Sequence, residues 1–106
     1  MEKSLVKNAA DEQQVKEAGA KQRFTRETEI NDLKAVMGTP AGRRIFWKIL
    51  SHCGVYETVM SSDSNLTSYN AGKQDVGHFV QAELNDACPD EYDLMFKEAR
   101  KAKRNV

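Results

Sequence analysis

A chain of 106 residues, 40% of them apolar and 30% charged, can build one small core and is too apolar for the strongly disordered class. Sixteen basic residues balance sixteen acidic ones, so the whole-chain charge makes no electrostatic case for nucleic acid. No apolar run approaches the ~18–20 residues that cross a bilayer, which argues against a membrane partner.

The first residues, Met1-Glu2-Lys3-Ser4-Leu5-Val6-Lys7, lack the apolar centre of a signal peptide, so synthesis and folding in the cytoplasm are expected. Residues 3–37 read as helix, either one long helix or two in line, because good helix formers dominate from Ala9 to Gln22. Glu12–Lys16 and Glu17–Lys21 add i,i+4 pairs in the favourable order. Large apolar residues are thin before Phe24; Ile30, Leu33 and Met37 then fall at helical spacing. A segment so poor in apolar surface offsets its ordering cost badly. Residues 1–37 therefore read as a helical arm, either solvated or ordered against a partner.

Gly38-Thr39-Pro40 is a break, with Gly38 at a helix end, Thr39 as N-cap and Pro40 as first helical residue. The helix from Ala41 to Cys53 carries Ile45, Phe46, Trp47, Ile49, Leu50 and Cys53, and Gly54 ends it. Arg43 and Arg44 stand in its first turn, where the helix dipole opposes positive charge by a few tenths of a kcal/mol. A partner carboxylate or phosphate would relieve that opposition; two solvated arginines are the alternative. Residues 55–68 read as non-helical, with turn chemistry from Ser61 to Asn65. A further helix is expected from about Tyr69 to Asn85, with Val76, Phe79, Val80 and Leu84 as its apolar positions. Gly72 and Gly77 fall in its first half, where glycine costs about 1 kcal/mol against alanine, so close approach to a neighbouring element is expected there. Cys88-Pro89 starts the last helix, with Tyr92, Met95, Phe96 and Ala99 as its buried stripe.

The expected fold is all-α: a long N-terminal helical arm over residues 1–37, then a compact domain over 38–106 built from three main helices. Its core is expected around Phe46, Trp47, Leu50, Phe79, Leu84, Tyr92 and Phe96. The end of the last helix, Arg100, Lys101, Lys103 and Arg104 after Lys97, is basic. It either complements the helix dipole or contacts phosphates, in which case affinity would fall steeply with salt.

Four blocks in order carry a family resemblance. They are Gly42-Arg43-Arg44-Ile45-Phe46-Trp47, then Cys53-Gly54-Val55-Tyr56, then Asn70-Ala71-Gly72-Lys73-Gln74-Asp75-Val76-Gly77, and Pro89-Asp90-Glu91-Tyr92-Asp93-Leu94-Met95-Phe96-Lys97-Glu98. Over about residues 42–99 the chain resembles a family of small proteins encoded by tailed bacteriophages, typified by one from a Bordetella phage. It departs at Gln74, where a second basic residue is expected, and at His78, where leucine is expected. The resemblance implies a phage structural or morphogenesis protein, internal to the virion or at the head–tail region, with ejection alongside the genome as a further option. Its implied partners are portal, capsid or tail-region proteins and further copies of itself, first in the host cytoplasm and then in the particle. Arg43, Arg44, Asn70, Gly72, Lys73, Asp75 and Gly77 are the interaction candidates within those blocks.

Reactive chemistry is not expected. His52, Cys53, His78 and Cys88 are zinc-ligand types at spacings that match no finger or ribbon. Gly72-x-x-x-x-Gly77 is followed by His78 where a phosphate loop needs lysine. Cys53 or Ser51 with His78 and Asp75 could be drawn as a triad, but no nucleophile-elbow motif supports it. A protein that is not an enzyme and holds no cofactor or metal is the expectation, with both cysteines as buried thiols.

Overall fold

The computed structural model describes the backbone of residues 2–104 and the side chains of residues 9–104. Four helices account for it: α1 (Glu2–Met37), α2 (Pro40–Cys53), α3 (Ser64–Ala87) and α4 (Pro89–Arg104). No strand occurs among the described residues, and the fold is an all-α bundle.

Each junction is set by local chemistry. The Thr39 hydroxyl accepts from the Gly42 amide at 3.0 Å and donates to the Val36 carbonyl at 2.8 Å, so one side chain starts α2 and ends α1. Pro40 follows as the first residue of α2, where its missing N–H costs nothing. Gly54 closes α2 in the left-handed region at φ 69°, which glycine enters without steric penalty. The α3 start lies five residues earlier than the turn chemistry implied, at Ser64. Asp63 accepts from the amides of Asn65 and Leu66, and the Thr67 hydroxyl accepts from the Ser61 amide at 2.9 Å. Ser64 and Asn65 are thus held in a capped first turn. Asp90 and Glu91 in the first turn of α4, with Lys101, Lys103 and Arg104 in its last, complement the dipole at both ends.

Met37, Leu50, Leu84 and Met95 are the largest fully buried side chains, one from each helix. Each contributes about 1.5–3 kcal/mol of transfer free energy. Ala87, Cys88 and Tyr92 complete the centre, with Ile30, Leu33, Phe46, Trp47 and Phe96 packed around it. The core therefore includes the last third of α1. Between residues 9 and 25 every side-chain position of α1 except Gly19 is exposed. Among the described side chains the first polar tie of α1 to the bundle is Arg26, whose guanidinium reaches Glu83 at 2.5 Å and Asp86 at 2.6 Å on α3. Those carboxylates hold the Arg26 proton even more firmly than usual, through hydrogen bonds to Glu83, Asp86 and Glu29.

Two sequence expectations fail on α3. Phe79 was expected in the core and is 65% exposed. The inward line of α3 runs through Gly77, Leu84 and Ala87; two residues past Gly77 the helix has turned about 200°, carrying Phe79 to the other side. Gly72 likewise meets no neighbour within 4 Å of where a Cβ would stand. Gly77 does meet one: a Cβ there would lie 2.4 Å from Val55 Cγ1 and 2.7 Å from Cys53 Cβ. Close approach is real at one glycine of the two.

Candidate functional site

Arg43 is the most constrained of the interaction candidates. It is 8% exposed, and its Nε donates to Glu98 Oε1 at 2.7 Å while Nη1 donates to the Met37 carbonyl at 2.8 Å. One guanidinium thereby satisfies the end of α1 and ties α2 to α4. The Met37 carbonyl is one of the last four of α1, which have no partner inside the helix. The approach is close because Gly42, the residue before, sits against the Val36 backbone, where any Cβ would collide with the carbonyl. Arg43 thus finds its carboxylate within the chain, at Glu98, and is neither solvated nor open to a partner's anion. Arg44 remains exposed and lines a cleft between α2 and α4 with Trp47, Glu98 and Ala102.

The Asn70–Gly77 block splits between two faces of α3. Asn70 and Lys73 line a small polar cleft with His52, Gly54, Glu57 and Thr58 at the end of α2. The Lys73 ammonium also lies 5.2 Å from the centre of the Tyr69 ring, a cation–π distance. Gln74, the departure from the expected basic residue, donates its amide to the Gly54 and Glu57 carbonyls, both at 2.9 Å. A lysine there would offer an ammonium in place of this planar amide. Gly72 and Asp75 face solvent. The block is therefore half turn-clamp and half open surface.

Behind that clamp is an aromatic cluster. Tyr56 from the α2–α3 loop stacks on Trp47 with ring centres 5.6 Å apart, and Phe96 meets Trp47, Tyr56 and Tyr92 edge-on at 5.3, 5.2 and 4.9 Å. Gln81 donates to the Tyr92 hydroxyl at 2.6 Å, and the Tyr92 and Tyr56 hydroxyls share a hydrogen bond of 3.1 Å. Burial first, then the bond to Tyr92, pushes the Tyr56 hydroxyl pKa well up from 10.0. The sequence placed Tyr56 only within the non-helical segment 55–68.

Both cysteines are free and buried. Burial, followed by the charge of Glu91, pushes the Cys88 thiol pKa above its ordinary 9.0, which opposes formation of a thiolate. Cys53 packs on Gly77, whereas His78 and Asp75 are exposed. Among the described residues no group of three His, Cys, Asp or Glu side chains gathers as metal ligands would. No helix among them is long and apolar enough to cross a membrane.

The surface feature that sequence reasoning missed is a groove between α1, α2 and α3. Leu33, Phe46, Phe79 and Val80 form its apolar floor and wall, and Glu29, Asp32 and Glu83 form its rim. Ile45 and Ile49 flank Phe46 on α2 and Val76 stands a turn before Phe79 and Val80; these three are 59%, 42% and 58% exposed. The signal was present as Val76 and Phe79, but periodicity alone assigns them to the core. The basic candidates Arg100, Lys101, Lys103 and Arg104 are all exposed on α4, away from this groove.

These features define a small helical bundle with a polar clamp inside and apolar side chains left on its surface. The family model of the Bbp19-like phage proteins matches residues 33–97, more than half of the chain, and the chain belongs to that family. No curated protein and no solved structure matches it. The matched segment runs from the last turns of α1 into α4, so it takes in the core, the clamp and the aromatic cluster. The protein is a phage-associated protein.

Proposed function

We propose that this protein is a non-enzymatic component of phage particle assembly, internal to the virion or at its head–tail region, that acts through protein–protein contacts. The observation that carries this reading is the open groove with Phe79, in a chain of the Bbp19-like phage family. Isolated exposed apolar residues need no explanation, but several gathered on one face generally mark a contact surface. Portal, capsid or tail-region proteins and further copies of the chain are the partners that this reading calls for. Host cytoplasm during assembly and then the virion is the corresponding location.

Mass spectrometry of purified, nuclease-treated particles tests it. A fixed copy number per particle is expected; absence from particles, together with normal particle yield when the gene is deleted, would contradict it. The second reading is a nucleic-acid-associated protein using Arg100, Lys101, Lys103 and Arg104. The run of exposed cations favours it. Its test is duplex-DNA binding against salt, where each phosphate contact steepens the log–log slope by about 0.9. A flat slope removes it.

A further inference from the structure

The chain is neutral overall, but its charge is segregated. Around the α1–α2–α3 groove stand Glu29, Asp32, Glu83 and Asp86, with Arg26 as the cation paired there. The outer face of α4 carries Leu94, Lys97, Lys101 and Arg104 at spacings of three and four, a single stripe about 15 Å long. All four are exposed, and Leu94 is 40% exposed, an apolar residue at the head of a basic run. Asp90 and Asp93, the latter four residues before Lys97, bound that stripe at its start. The groove offers the complement: an apolar side chain, Phe79, beside an acidic rim.

We infer that the groove receives the α4 outer face of a second copy, with Leu94 against Phe79 and Lys97, Lys101 and Arg104 along the acidic rim. This deepens the assembly reading and rests on it for its setting, though the interface is read from this chain's own charge and shape. The occupant is a second copy because the α4 stripe matches the groove in sign and sets its one apolar residue, Leu94, against the apolar wall at Phe79. Duplex DNA would meet the same cations without using Leu94 or the groove, and a neutral chain gives it no long-range attraction. The two patches are different surfaces of one molecule, so the contact is heterologous. Such contacts propagate into a ring if the rotation closes and a filament if it does not.

The experiment is sedimentation velocity on the full chain over a range of concentrations, at about 0.05 M and about 0.5 M salt. Association is expected at low salt and should weaken at least tenfold at high salt. Phe79→Asp removes the groove and Leu94→Asp removes the α4 face; both positions are exposed, and unchanged helical circular dichroism and melting temperature show that each variant folds. Each variant alone should be monomeric, while an equimolar mixture should form 1:1 heterodimers and stop there, since only one competent pair of surfaces remains. A monomeric wild type at low salt overturns the proposal. So does association that survives both variants, or a mixture that stays monomeric. A wild type that is monomeric yet binds duplex DNA, with binding lost in Lys101→Glu, assigns the stripe to nucleic acid. Each of these outcomes leaves presence in particles as a separate question.

Discussion

An arginine in the first turn of a helix is opposed by the dipole, yet Arg43 is nearly buried and holds two acceptors, Glu98 and the Met37 carbonyl. Replacing it leaves a helix-end carbonyl and a carboxylate without their donor, the asymmetric penalty of a half-removed bond. Arg43→Met is expected to lower unfolding free energy by about 1–3 kcal/mol in a denaturant titration, and Arg44→Met, at an exposed position, by much less. Equal effects at the two positions would show that the buried pairing is not what stabilises Arg43. Gly77 acts by contact, since Val55 and Cys53 occupy the space a side chain needs. Gly77→Val should lower the denaturant midpoint through overpacking of about 1–3 kcal/mol, while Gly72→Ala, in open space, should leave it level or raise it.

The helices differ in how much holds them. Residues 9–25 of α1 are exposed almost throughout, whereas Gly77, Leu84 and Ala87 of α3 lie in the centre of the bundle. Amide hydrogen exchange should therefore be graded along the chain, with residues 10–22 opening locally and Leu84 exchanging only on global unfolding. Uniform protection along α1 would mean that something covers its first half. The boundaries at Thr39-Pro40, Gly54 and Pro89 were legible because each residue has a local stereochemical reason to stand there. The α3 start was not, since Ser, Asn and Asp serve turns and N-caps equally, and the Asp63 bonds decide between them. Phe79 was misplaced for a related reason: a 3.6-residue period gives one apolar face, and Val76, Phe79, Val80 and Leu84 span more arc than that face covers. The Arg43–Glu98 pair joins residues 55 apart, which no local pattern reveals, although both lay inside the blocks that carry the phage resemblance.

At the scale of the molecule, the described residues, with a 36-residue first helix, form an elongated body of 73 × 38 × 15 Å. So thin a body hides few side chains, and Ile45, Tyr69, Val76 and Phe79 remain on its surface. Under the proposed assembly role such a surface would meet a larger particle, and the groove at Phe79 is where that contact should be most sensitive. The most direct measurement is the copy number of this protein, by quantitative mass spectrometry, in particles assembled with the wild-type chain and with Phe79→Asp. A fixed wild-type copy number that collapses for the folded variant is the expected result. Equal incorporation of the two chains, or no wild-type chain in the particle, would contradict a groove-mediated role in the virion.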